Sequence, residues 1–298
     1  MSQDLMLQSQ KTDQLYRFLF DEHAARGELV TVTHTLNAML EHHNYPVAIQ
    51  KLLGELVVAT SLLTATLKFE GDITVQLQGD GPISMLVING NNHQQMRGTV
   101  KYDESIAFLP ESNIETLFGR GYIVITVMPK DGERYQGIVE LEGHSIASCL
   151  ERYFTQSEQL ETRLFLFSQM HEGVMHAAGM FLQVMPGQVE KDEYFFDSIT
   201  QLTHTIKAEE LFNLPVEEIL NRLYHEEIVR LYDPQPVSFF CHCSEEKCYS
   251  AMATLGDEEI ESLLNEQKLV TFNCDFCGKA YEFDADMINT ALKRNLTN

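Results

Sequence analysis

Five of the six cysteines in this 298-residue chain fall within 37 positions near its C-terminus, and four of them form two close pairs. The first pair is Cys241-His242-Cys243. Thirty residues later comes Cys274-Asp275-Phe276-Cys277-Gly278. In extended backbone, residues i and i+2 point to the same side, so both sulfurs of Cys-x-Cys reach one metal while His242 points away. Cys-x-x-Cys followed by glycine makes a knuckle turn, because glycine lets the backbone fold under the ion. Four soft thiolates suit zinc in a closed tetrahedral site, with an iron–sulfur cluster as the weaker reading of the same donors.

A closed four-thiolate site has two uses. One is structural, since zinc binding worth ~10–16 kcal/mol folds a module too small to hold itself together. The other is redox sensing. Zn–S bonds near ~2.3 Å keep the sulfurs about 3.8 Å apart, whereas a disulfide needs about 2.05 Å, so oxidation expels the metal and its folding energy with it. Thiolates are also the oxidisable form of cysteine. Spacing alone does not choose between staple and switch.

Other candidates are weaker. Cys248, at the start of an expected helix, is not needed as a ligand because four better-spaced cysteines fill the site. Cys149, in Ile146-Ala147-Ser148-Cys149-Leu150, reads as a small buried hydrophobe. His225, His242 and the other histidines lack ligand spacing to one another. Gly79-Asp80-Gly81 reads as a hairpin turn, since no basic residue or helix signal follows it. No nucleophile–base motif is evident, so no enzyme is expected.

Bulk properties narrow the class. The formal net charge is −23, against the clustered Lys and Arg that phosphate binding needs. From Cys241 onward there are 11 Asp/Glu against 5 Lys/Arg, a balance of −6 before any metal is added. That speaks against a zinc ribbon binding nucleic acid or the translation machinery. The N-terminal MSQDLMLQSQKTDQ lacks the basic and apolar regions of a secretory signal, and the apolar stretch from Leu56 to Phe69 is too short and polar for a membrane span. A cytoplasmic, reducing location without membrane contact is expected, where clustered thiols mean metal or redox chemistry.

The elements that must position the cysteines read as α+β. A strand over 27–32 leads into a helix from Thr33 to about His43, and a second helix runs from Pro46 to about Leu67. Asp72–Gln78 and Ile83–Ile88 alternate around a turn, and Tyr122–Met128 and Tyr135–Leu141 flank Pro129-Lys130-Asp131-Gly132 as a hairpin. Ile146–Phe154 reads as helix, Arg163–Phe167 and Met180–Met185 as strands. After Pro186-Gly187 the chain turns acidic and helical. Tyr194, Phe195, Ile199, Leu202 and Ile206 make one stripe; Val216, Ile219, Leu220, Leu223 and Tyr224 make another, behind Pro215. Asp233-Pro234-Gln235-Pro236 ends the helical stretch. The expected organisation is a core domain over 1–186, a helical, metastable linker over 187–238 and a zinc-binding domain over 239–298.

Several blocks in order resemble the bacterial redox-regulated holdase chaperones of the 33-kilodalton heat-shock protein family, and the likeness spans essentially the whole chain. They are the two cysteine pairs, Arg26-Gly-Glu-Leu-Val30, Leu62-Leu-Thr-Ala-Thr-Leu-Lys68, Gly71-Asp-Ile-Thr-Val-Gln-Leu-Gln-Gly-Asp-Gly81, Glu133-Arg-Tyr-Gln-Gly137 and Arg222-Leu-Tyr-His-Glu226. Ala178-Gly179-Met180 departs from the family in having one glycine where two are expected. Cys149 and Cys248 match cysteines of some members that are not zinc ligands. The resemblance implies a zinc-bound, inactive, monomeric reduced state with Cys241, Cys243, Cys274 and Cys277 as ligands. It implies that hypochlorous acid, or peroxide with heat, forms Cys241–Cys243 and Cys274–Cys277 disulfides, releases zinc and unfolds the zinc domain. The linker then loses its support, and the protein dimerises and holds unfolding or oxidatively damaged client proteins without ATP. The acidic surface would keep the loaded complex in solution.

Overall fold

The computed structural model describes residues 13–66, 70–108, 113–143, 145–185, 189–252 and 269–288. Leu67 and the break at Pro186-Gly187 lie outside them, as does most of the N-terminal segment. The chain divides into two compact units, 1–240 and 241–298.

The first unit is built on two sheets. One contains β1 (Gln14–Phe20), β2 (Ala25–Thr31), β8 (Thr162–His171), β9 (Val174–Val184) and β10 (Val229–Leu231) in the order β10-β1-β2-β9-β8, with β11 (Gln235–Pro236) also pairing β1. The other contains β3 (Gly71–Gly79), β4 (Ile83–Asn91), β5 (Gln95–Tyr102), β6 (Gly121–Pro129), β7 (Tyr135–Glu140) and β12 (Ser238–Phe239) in the order β12-β5-β4-β3-β6-β7. The β12–β5 pair is parallel; the others are antiparallel. Both expected hairpins, β3–β4 and β6–β7, are present. In the first, Asp80 accepts from the Arg120 backbone N–H at 2.8 Å and pairs with its guanidinium at 3.1 Å, so Gly79-Asp80-Gly81 is a braced turn.

Helix α1 (Thr33–Leu40) precedes α2 (Val47–Thr66), which packs on strands of both sheets. This explains why α2 is apolar on nearly every face: Leu53, Leu56 and Val57 join Val30 of one sheet and Ile73, Leu77 and Ile88 of the other in one core. Its hydroxyls are absorbed locally. Thr60 and Thr64 donate to carbonyls four residues back at 2.7 Å each, and Ser61 donates to Gln94 Oε1 at 2.6 Å. Among the described residues, α2 is the one helix with the length and composition to cross a membrane, and 72% of its apolar window is buried inside the protein. Short α3 (Ile114–Phe118) and α4 (Ile146–Tyr153) complete this layer, α4 capped by Ser145.

A second core lies on the other face of the first sheet, beneath α5 (Val189–Thr203), α6 (Ala208–Asn213) and α7 (Val216–Tyr224). All five expected apolar positions of α7 are buried. The α5 stripe needs correction. Tyr194 is 86% exposed and Leu202 is 42% exposed; the face toward the sheet is Phe196, Ile199, Thr200 and Thr203. Spacing of three and four fits this set, but two of its members are threonines. Thr203 is buried because its hydroxyl bonds the Ile199 carbonyl at 2.6 Å and the Tyr224 hydroxyl at 2.5 Å, tying α5 to α7. Phe195 is half-buried and stacks on His23 at 3.6 Å. At the sheet, a Cβ on Gly27 would lie 2.0 Å from the ring of Phe18, and that ring reaches Tyr224 at 6.1 Å. The segment after Asp233 does not leave this unit at once, since β11 and β12 add to the two sheets and the Phe240 N–H bonds Met96 O at 3.0 Å.

Candidate metal centre

The second unit is organised around a hairpin of β13 (Leu269–Asn273) and β14 (Ala280–Asp284), with α8 (Glu245–Met252). Strand alternation puts Val270, Tyr281 and Phe283 into a small core with Met252 and Ile288. The hairpin tip is the knuckle. Cys274 N–H donates to Lys279 O at 2.9 Å, Gly278 N–H donates to Cys274 O at 2.8 Å, and Gly278 sits at φ +66°, where a side chain would strain the turn. Backbone hydrogen bonds thus fix Cys274 and Cys277 on one tight loop. Cys241 and Cys243 approach from the segment before α8.

The four sulfurs lie within 4.8 Å of one another. Cys241 Sγ is 3.6 Å from Cys274 Sγ, and Cys243 Sγ is 3.5 Å from Cys277 Sγ. These spacings are near the roughly 3.8 Å edge of a metal-centred thiolate tetrahedron and far from the ~2.05 Å of a disulfide. Among the described residues this is the one cluster of three or more such side chains within metal-binding distance. All four cysteines are half-buried, whereas His242 between the first two is exposed.

Electrostatics favour a cation here. Burial pushes the Cys241 thiol up, and burial with the neighbouring sulfurs pushes Cys277 to about 12. Cys243 goes the other way: burial raises it, but hydrogen bonds from Tyr281 and the neighbouring thiols outweigh that and bring it down to about 7. Packed thiols resist ionising together, and a divalent ion at their centre reverses that balance. The donor set and spacing fit a four-thiolate metal.

Sequence reasoning missed one member of the site. Tyr281 OH donates to Cys243 Sγ at 3.1 Å, and Lys279 Nζ lies 4.7 Å from the centroid of the Tyr281 ring. The alternation Tyr281-Glu282-Phe283 just after the knuckle was the signal, because it returns a strand beside the first cysteine pair. Cys248 lies within α8 rather than at its start and is outside the cluster; burial, then the neighbouring sulfurs, push its thiol up. Cys149 is fully buried in α4 of the first unit, its Sγ 3.4 Å from Glu142 O. His225 is exposed at the end of α7.

Comparison with known proteins extends the match beyond the cysteines. Residues 13–284 match the family model described as Hsp33 protein, from the residue before β1 to the last residue of β14. The 33 kDa chaperonin of Proteus mirabilis is 52% identical over 292 residues, covering 97% of this chain and 99% of that protein. That of Pectobacterium carotovorum is 55% identical over 273 residues, covering 92% and 93%. The crystal structure of the Thermotoga maritima Hsp33 homologue superimposes with a TM-score of 0.82 at 20% identity, covering 96% of this chain and 99% of the other. With the α+β fold, the C-terminal four-cysteine unit and the sequence all agreeing across both units, the chain belongs to the Hsp33 family of chaperones.

Proposed function

We propose that this chain is an ATP-independent holdase whose activity is held off by zinc at Cys241, Cys243, Cys274 and Cys277 and released by their oxidation. The observation that carries this reading is the cluster of four half-buried sulfurs within 4.8 Å of one another, with Cys241–Cys274 at 3.6 Å and Cys243–Cys277 at 3.5 Å, close enough to share one ion. When bound, zinc supplies charge neutralisation and the energy that folds the second unit. Forming Cys241–Cys243 and Cys274–Cys277 disulfides passes two electrons per disulfide to an oxidant such as hypochlorous acid or peroxide, and the ion's ligands are withdrawn.

The responsive element in this reading is the linker over 187–238, which carries α5 to α7. Its helices bury Phe196, Ile199, Leu211, Ile219, Leu220 and Leu223 against the first sheet. Each such side chain contributes ~1.5–3 kcal/mol by burial, so the covered face is a large apolar surface once uncovered. Glu217, Glu218 and Arg222 on α7 keep the opened helices hydrated. Unfolding or oxidatively damaged proteins are the clients, the oxidised form is a dimer and the reduced form a monomer, and the setting is the cytoplasm. No enzymatic activity is part of this reading.

The test is an aggregation assay with a thermally unfolding client. Zinc-loaded reduced protein is expected to leave aggregation unchanged, and oxidised protein to suppress it. Cys149→Ser is expected to retain both behaviours, whereas Cys241→Ser or Cys274→Ser is expected to lose tight zinc binding. Equal activity of the reduced and oxidised forms contradicts the reading.

A further inference from the structure

We propose that His176, wedged between the start of α1 and Phe212 of α6, is a proton-sensitive latch whose charging loosens α6 from the first sheet as pH falls. The inference concerns the helical layer of the reading above and gives it an input separate from the metal centre. His176 lies near the tip of the β8–β9 hairpin, opposite Gln169, and is half-buried. Its ring stands 5.6 Å from that of Phe212, and its Nδ1 shares a hydrogen bond with the Thr33 hydroxyl at 3.3 Å. Thr33 opens α1, so the ring sits at the helix end where a positive charge is disfavoured. Two further histidines converge on it: His171 across the hairpin, its ring 6.3 Å away, and His34 of α1. Burial first, then these two neighbours, hold His176 below the ordinary 6.5.

Among the described residues no carboxylate offsets that charge. Asp13 uses both oxygens on the His34 and Thr35 N–H groups, at 3.0 and 2.6 Å, and Glu210 of α6 pairs with Arg222. Glu172 at the hairpin tip and Glu209 on α6 are exposed. A cation–π contact with Phe212 is the one gain, and 5.6 Å is near the ~6 Å limit of such contacts. The strain falls on α6 because the two helices are held differently. Beside His176, Asn37 of α1 donates to Met175 O at 2.7 Å and accepts from Met175 N–H at 3.2 Å, and Leu36 and Met39 are buried in the main core. Helix α6 has six residues, too few for stability of its own. The neutral ring is therefore the docked form: its contribution is whole above about 6.5 and is lost as pH falls from there through the lower folded value. At the other end of the layer, His23 stacks on Phe195 of α5 with Glu227 3.7 Å from its Nε2, so a proton there meets an opposite charge. Acid thus opens the α6 end and leaves the α5 contact in place.

The test uses full-length, reduced, zinc-loaded protein at about pH 7.5 and about pH 5.5, on either side of the ordinary histidine value, with zinc content checked at both. Hydrogen exchange is followed by segment and corrected for the intrinsic pH dependence of amide exchange. Protection over 208–213, relative to 194–203, is expected to fall about fivefold at the lower pH, the size of one charge against a helix N-terminus. His176→Gln is expected to hold the same relative protection at both values. An equal fall in the variant, or no fall in wild type, overturns the proposal. Should the variant lose protection already at the higher pH, NMR titration of wild type decides: the imidazole in contact with the Phe212 ring must titrate below free histidine, and a midpoint at or above it overturns the proposal. Client holding is measured separately on oxidised protein. Its absence there defeats the holdase reading while leaving the pH dependence of α6 intact.

Discussion

Glu28 lies in β2 with 1% of its surface exposed, and its Oε2 has no hydrogen-bond partner within the protein. Burial pushes its carboxyl from the ordinary 4.5 to about 7, with Arg26 and Arg17 opposing the rise. Those guanidiniums are also engaged by glutamines, Arg17 with Gln235 at 3.1 Å and Arg26 with Gln183 at 2.7 Å. Below about pH 4.5 the group is neutral folded and unfolded; above about 7 it is charged in both, but buried only when folded. Stability from this residue is therefore lost as pH rises between those values, and the loss is complete above about 7. Glu28→Gln is expected to stabilise the protein more at pH 8 than at pH 4, by about 3 kcal/mol, read by denaturant unfolding at both values. Equal effects at both contradict the assignment. At this scale the sequence announced the four cysteines, because two short spacings carry their own geometry. It announced neither Glu28 nor Tyr281. A glutamate in Arg-Gly-Glu-Leu-Val and a tyrosine in an alternating strand acquire their roles from neighbours far away in the chain.

Helices α5 to α7 form one wired layer: Thr203 reaches Tyr224, and Arg222 pairs with Glu210 at 3.1 Å between α7 and α6. The ion pair is half exposed and contributes little, so the layer depends on its apolar face. Leu223→Ala is expected to cost ~2–4 kcal/mol and to raise hydrogen exchange across 194–224 in the reduced protein before it raises exchange in β3–β6. Uniform exchange over both regions contradicts a locally opening layer. In the element pattern, α2, α7 and the two hairpins were legible, since each is continuous, strongly patterned and bounded by Pro, Gly or Asp. The α5 stripe was misread because its buried face includes Thr200 and Thr203, which a purely apolar count skips. The two- and three-residue strands β10 to β12 pair with β1 and β5 from far along the chain, and such short segments have no period to read.

On the scale of the whole molecule, one sequence carries a unit with a large core, a layer of helices over an apolar sheet face, and a small unit in which, among the described residues, five buried side chains pack beside four sulfurs. In the proposed reading, folding of the second unit is tied to its metal. The net charge of −23 is spread over a molecule whose proposed work is to keep sticky proteins dispersed. The α+β class follows the sequence reading, because the alternating strands and the periodic helices were both patterned in the chain. The stability of the helical layer was not legible, since it depends on packing against β1, β2 and β9.

The central claim is that thiol oxidation, metal loss and client holding are one event. The decisive measurement exposes reduced, zinc-loaded protein to peroxide at elevated temperature and follows thiol loss, zinc release and suppression of client aggregation on one time axis. The account predicts four thiols lost for each zinc released, with anti-aggregation activity rising in step with release. Zinc leaving without any gain of activity, or activity appearing while zinc stays bound, contradicts it.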